Sequence, residues 1–248
     1  MKALIVSDIH ANMVALERIQ KRESDCDLMI CAGDLVDFGF QPNEVIDWVR
    51  QHADFCVSGN HDRSICAMYE AIHNETIPCD GTIGWHNADR LTVESYQFLK
   101  ALPMTECVTL GKTDYGLVHQ FGRQYELMTT VQQFQTFCQT HWQRYLKGLI
   151  MGHTHRPEGH TFMDGYHWLN PGSVSYRKDD DPSLGAHYLV WIDGEPEWRF
   201  IEGDYHQYYP QLESLDLNAH HRCRVGWKFR AMADQFAEAK NWPAGRTV

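Results

Sequence analysis

The chain has 248 residues, enough for one sizeable domain whose core needs neither disulfides nor metals merely to fold. With 43% hydrophobic and 22% charged residues it is not a disordered or fibrous protein, and no apolar run approaches the roughly 20 residues of a membrane helix. A net charge of -11 works against an extended nucleic-acid footprint, because an acidic surface repels phosphates.

In chain order, Met1 to Ser7 is an apolar run that predicts a buried strand, stopped by Asp8. From that early break no signal peptide is expected. Ala11 to Glu23 carries Met13, Val14, Leu16 and Ile19 at helical spacing. Leu28 to Ala32 predicts a second strand, Pro42 to His52 a helix opened by proline, and Phe55 to Val57 a third strand. Three such strands separated by two helices of this length predict a layered α/β fold with parallel strands. Further on, Val93 to Leu102 reads as a helix. Glu106 to Leu110 and Tyr115 to His119 read as a hairpin, Val131 to Tyr145 as a helix and Leu149 to Met151 as a strand. Short strands then follow, broken by Asp164-Gly165 and Asp193-Gly194, with an acidic loop over 177–185. The whole of 1–248 reads as one domain, with 203–248 a C-terminal helical extension packed on it. The stretch from His220 is basic, and its basic side chains are expected on a solvated face. The eight cysteines form no CxxC pair and read as reduced, buried, cytoplasmic thiols.

Chemistry collects where strands end. Asp8-Ile9-His10 closes the first strand, Gly33-Asp34 the second and Gly59-Asn60-His61-Asp62 the third; His119 and His153-Thr154-His155 close two later ones. In open α/β sheets ligands bind at the carboxyl ends of strands. With 15 histidines in the chain, one HxH pair is expected by chance about once, so no single pair proves a site. Each residue alone has a plainer reading, as a helix cap, a turn residue or a core histidine. Five strand ends delivering carboxylate, amide and imidazole to one edge do not. This borderline-hard donor set suits Mn, Fe, Zn or Ni, held as a pair about 3.5–4 Å apart across a bridging carboxylate. No GxSxG, P-loop or GxGxxG sequence occurs to support a serine hydrolase, P-loop or Rossmann reading.

Taken in order, these motifs resemble the calcineurin-like metallophosphoesterases over about residues 1–175. Asn170-Pro171-Gly172-Ser173 is similar to their small bacterial and archaeal branch. The resemblance implies a four-layer αββα sandwich, two facing mixed β-sheets flanked by helices. It puts Asp8, His10, Asp34 and His155 on one metal, with Asp34 bridging to a second held by Asn60, His119 and His153. His61 matches the histidine that faces the leaving group, and Asp62 is expected to orient it through the other ring nitrogen. Arg63 and Arg123 are candidates to clamp a phosphate oxygen. The cofactors implied are two divalent or trivalent ions, manganese first, with iron, zinc or nickel as alternatives. The partner implied is a small phosphoester, with no membrane involved.

The expected activity is hydrolysis of a small phosphodiester or nucleotide by in-line attack of a metal-bridging hydroxide. The alternatives are a phosphomonoesterase or phosphoprotein phosphatase, and a non-catalytic metal-binding scaffold. Phosphoprotein phosphatases of the family show G-N-H-E where this chain has Asp62, and scaffolds tend to lose the leaving-group histidine that it keeps. One departure stands out: Gln120 follows His119 where small members have glycine.

Overall fold

A computed structural model describes residues 1–79, 81–122, 125–175 and 185–202. The first half alternates as expected: β1 (Lys2–Val6), α1 (Met13–Arg22), β2 (Leu28–Cys31), α2 (Pro42–His52) and β3 (Phe55–Cys56). The Asn12 side chain caps α1 by accepting the Ala15 N–H, and Met13, Leu16 and Ile19 are its buried stripe. Proline opens α2, which buries Val45, Ile46 and Val49.

Two helices escaped the sequence reading: α3 (Asn60–His73) and α4 (Ile83–Arg90). α3 begins inside the G-N-H-D motif, with Gly59 as N-cap and the Asp62 carboxylate accepting the Gly59 N–H at 2.8 Å. Gly59 carries no capping side chain, so the usual serine, threonine, aspartate or asparagine signal is missing at the helix start. After α5 (Val93–Ala101) come the hairpin β4 (Thr105–Leu110) and β5 (Thr113–Val118), then α6 (Val131–Trp142). The remaining strands are β6 (Gly148–Ile150), β7 (Pro157–Thr161), β8 (His167–Pro171), β9 (Gly185–Ile192) and β10 (Glu195–Glu202).

The strands form two five-stranded sheets, ordered β10-β9-β1-β2-β3 and β4-β5-β6-β8-β7. Both are mixed, with β1, β2 and β3 parallel in the first and β5, β6 and β8 parallel in the second. The pleat sends alternate side chains to opposite faces. Ala3, Ile5 and Ile30 therefore pack against Val108, Leu117, Ile150 and Leu169 between the sheets. Leu4, Val6 and Cys31 face the first helical layer, where they meet Leu16, Ile46, Ile65 and Leu99. Leu149, Met151 and Trp168 meet Phe134 and Phe137 of α6 on the far side. Three apolar interfaces thus separate four layers, the predicted αββα sandwich, and each fully buried Leu, Ile or Phe contributes about 1.5–3 kcal/mol.

Glu23, just past α1, is buried and ties α1 to three strands. It accepts from the Tyr188 hydroxyl at 2.7 Å and from Arg199 at 2.8 Å, and Lys2 Nζ lies 2.9 Å away. Burial alone raises a carboxyl pKa, but these partners outweigh it and hold Glu23 below its ordinary 4.5. A depressed carboxylate stabilises the fold above the unfolded-state pKa, and that contribution fades as pH falls through the folded-state value. Glu23→Gln is expected to cost about 1.5–3 kcal/mol at pH 7. In urea unfolding, the gap from wild type should narrow toward pH 3; a gap independent of pH would refute the ion-pair account.

Seven described cysteines are free thiols. Cys31, Cys66 and Cys138 are buried as expected, whereas Cys79 is exposed and Cys26, Cys56 and Cys107 are half-buried. Among the described residues no helix is long and apolar enough to cross a membrane. The expected C-terminal extension over 203–248, the acidic loop over 177–184 and Arg123 lie outside the described residues.

Candidate metal centre

Because β1, β2 and β3 run parallel as neighbours, and β5 and β6 likewise, their carboxyl ends meet on one rim. Backbone bonds lock the loops there: Asp8 N–H to Gly33 carbonyl at 2.9 Å, His10 N–H to Asp34 carbonyl at 3.0 Å, Gly152 N–H to His119 carbonyl at 2.9 Å. The backbone is strained where it presents the side chains. Asp8, His10, Asp34, His153 and His155 have φ of 53°, 48°, 56°, 70° and 61°. Left-handed backbone costs a non-glycine residue roughly 1–3 kcal/mol and persists only where its surroundings over-determine it. Gly33, at φ 91°, admits no side chain: a Cβ there would sit 2.9 Å from His119 Nδ1.

The side chains converge in two groups. Asp8, His10 and His155 bring ligand atoms within 4.8 Å of one another, and so do Asp34, His119 and His153. Asn60 belongs to the second group, its Oδ1 lying 3.1 Å from His119 Nε2 and 2.9 Å from His153 Nδ1. Asp34 stands between the groups, with Oδ2 at 3.1 Å from His119 Nε2 and 4.0 Å from both His10 Nε2 and His61 Nε2. His119 and His10 commit their Nδ1–H to the carbonyls of Ala32 (2.7 Å) and Val36 (3.1 Å). That choice leaves Nε2 of each ring as the nitrogen directed at the cluster.

This arrangement fits cations. Asp8 Oδ1 and Asp34 Oδ2 are buried and accept no hydrogen bond, a costly state for a carboxylate unless positive charge stands nearby. His10 Nε2 and His155 Nε2, two ring nitrogens, lie 3.3 Å apart. The titration behaviour agrees. Burial would raise the Asp8 acid, yet His155 and His119 hold it down at about 2. Burial pushes His10 down to about 4. Burial also opposes charge on His119, but Asp34 and Asp8 outweigh it and lift the ring to about 10. The cluster draws positive charge to the place where a divalent ion would sit.

A family model, the calcineurin-like phosphoesterase superfamily domain, matches residues 1–191. The chain belongs to that superfamily. Among curated proteins, an uncharacterized protein of Methanocaldococcus jannaschii, MJ0912, is 24% identical over 196 residues, covering 71% of this chain and 76% of that one. A metallophosphoesterase crystal structure from Sphaerobacter thermophilus superposes with a TM-score of 0.69 at 22% identity, over 91% of this chain and 99% of that one. The hypothetical protein PH1004 from Pyrococcus horikoshii gives 0.68 at 15% identity, over 90% and 97%. Both structures share the fold of this phosphoesterase domain.

One expectation needs correction. Asp62 does not orient His61. Its carboxylate is buried under the loop and accepts backbone N–H groups, from Gly59 and Leu35 at 2.8 Å and from Asp34 at 3.0 Å. Burial and the neighbouring Asp34 charge raise its acid to about 6, against the pull of those donors. The partner of His61 is Asp37, whose Oδ2 lies 2.8 Å from His61 Nδ1. Burial disfavours the His61 imidazolium, but Asp37 and Asp34 outweigh it and raise the ring above its ordinary 6.5. Arg63, a candidate phosphate clamp, is exposed on α3 and donates one Nη1–H to the Ser58 carbonyl at 3.2 Å. Sequence reasoning missed Asp37, although a carboxylate three residues after Asp34 in the same loop was a usable signal. It also missed Phe38, whose ring centroid lies 5.0 Å from those of both His10 and His61. Gln120 folds onto its own loop, its amide donating to the Gly122 carbonyl at 2.6 Å.

Proposed function

We propose that this protein hydrolyses a small phosphodiester or nucleotide, using a pair of divalent ions, manganese foremost. The observation that carries the reading is Asp34, a buried carboxylate whose Oδ2 accepts no hydrogen bond, set between two groups of ligand-bearing side chains. Asp8, His10 and His155 would hold one ion, and Asn60, His119 and His153 the other, with Asp34 shared. Such ions supply Lewis acidity toward phosphate oxygens and a water activated near neutral pH.

The chain's own residues do the rest. His61 and Asn60 open α3, so the positive end of the helix faces the site and favours a bound anion. The His61 N–H donates to Asp34 Oδ1 at 2.8 Å, which fixes the orientation of that carboxylate. With Nδ1 held by Asp37, His61 keeps Nε2 directed over the site, 4.0 Å from Asp34 Oδ2. From there it can give a proton to a departing alkoxide. Phe38 forms an apolar wall beside His61, which suits an organic leaving group.

The test is hydrolysis of bis-p-nitrophenyl phosphate against p-nitrophenyl phosphate, first in EDTA and then with added Mn²⁺. Turnover that Mn²⁺ restores and that favours the diester is the expected result. Preference for the monoester would replace the diesterase reading with a phosphatase, and no turnover with either by Mn²⁺-loaded protein would remove the proposal.

A further inference from the structure

The Asn170-Pro171-Gly172-Ser173 segment contributes no ligand, yet its polar side chains are spent on the two loops that carry ligands. Asn170 and Ser173 are both buried. Asn170 Nδ2 donates to the Gly152 carbonyl at 2.8 Å and to Thr154 Oγ1 at 3.0 Å, the residues on either side of His153. The Thr154 hydroxyl in turn donates to Glu158 Oε1 at 3.2 Å. Asn170 Oδ1 accepts the Gly172 N–H at 2.9 Å, which closes the turn and aims the amide. From the other end, Ser173 Oγ donates to the Asp8 carbonyl at 3.0 Å, and the Val174 N–H bonds to the Ser7 carbonyl at 3.1 Å. Gly172 takes a left-handed φ of 82° in the turn, where a Cβ would sit 2.8 Å from that of His187.

Both loops held this way carry strained backbone. Left-handed non-glycine backbone at Asp8, His10, His153 and His155 relaxes unless something external fixes it. We infer that the Asn170–Ser173 turn is a clasp that sets the distance between the Asp8–His10 and His153–His155 loops, and thereby the affinity and spacing of both ions. Asn170 and Ser173 are positioning residues, acting through Gly152, Thr154 and Asp8. The inference rests on the two-ion reading above.

The test is Mn²⁺ titration of EDTA-stripped full-length protein by calorimetry, with electron paramagnetic resonance of the loaded form, for wild type, Asn170→Asp and Ser173→Ala. Asn170→Asp keeps the shape and the acceptor for Gly172 but sets an oxygen against the Gly152 carbonyl. Outer-shell partners of this kind are typically worth about 10–100-fold in metal affinity. Asn170→Asp is expected to weaken Mn²⁺ binding by about that factor and to replace the exchange-coupled spectrum of a close pair with that of isolated ions. Ser173→Ala is expected to lose roughly tenfold, and it decides the matter if Asn170→Asp does not fold. Wild-type affinity and a coupled spectrum in the variants would overturn the clasp, whatever happens to Tm, because a merely structural turn changes stability alone. Wild type that binds no Mn²⁺ pair would instead overturn the two-ion reading, and the clasp with it.

Discussion

Asp34→Asn is expected to remove almost all hydrolytic activity and to lower bound Mn²⁺ from two ions per chain toward one. The substitution keeps the shape and leaves Oδ1 able to accept the His61 N–H, so the loop should hold. What disappears is a charge at the point where the two ligand groups meet. Asp34 Oδ2 is buried without a hydrogen-bond donor and reaches His119 Nε2 at 3.1 Å, so it is placed for a cation more than for fold stability. Metal ions contribute several kcal/mol of transition-state stabilisation, which corresponds to a rate loss of roughly 10³–10⁴ or more. The check is Mn²⁺ stoichiometry and turnover measured on the same folded sample. Wild-type turnover with one ion bound would sink the shared-carboxylate assignment.

His61→Ala is expected to keep both ions and to cut turnover by about 10²–10⁴, the usual worth of a positioned general acid. Asp37 works through His61, holding Nδ1 at 2.8 Å. Asp37→Asn should therefore lower turnover by a smaller factor, and the double variant Asp37→Asn/His61→Ala should turn over like His61→Ala alone. Such non-additivity is the signature of residues that act as a unit. If the two losses multiplied instead, Asp37 would have a separate role and the pair would not be a dyad. A substrate with a good leaving group, such as a p-nitrophenyl ester, should shrink the His61→Ala effect, because less proton donation is needed.

Much of the architecture is legible in the chain because it rests on short-range patterns. The strand–helix alternation of residues 1–57 follows from apolar runs and helical stripes, and β1, α1, β2, α2 and β3 fall within a few residues of expectation. The hairpin β4–β5 follows from its Gly111-Lys112 turn. α3 was hidden because its cap is a glycine and its first turn is made of site residues. Gly59, Asn60, His61 and Asp62 look like a loop when read for chemistry, and they are helix-forming only once Asp62 turns back to accept the Gly59 N–H.

That oversight decided the one wrong partnership. Along a loop, Asp62 beside His61 is a plausible hydrogen-bond partner. On a helix, adjacent residues point about 100° apart and do not face each other. Asp62 therefore goes under the Asp34 loop, and the carboxylate that reaches His61 comes from Asp37 on another segment. Which residue types gather at the strand ends follows from the chain's local pattern, since parallel neighbouring strands must deliver their carboxyl ends to one edge. Which of those residues touch is a property of the assembled fold. Contacts between Asp37 and His61, or between Asn170 and the His153 loop, depend on how separate loops turn as they leave different strands, and side-chain direction there is set by packing and backbone strain that local pattern does not encode.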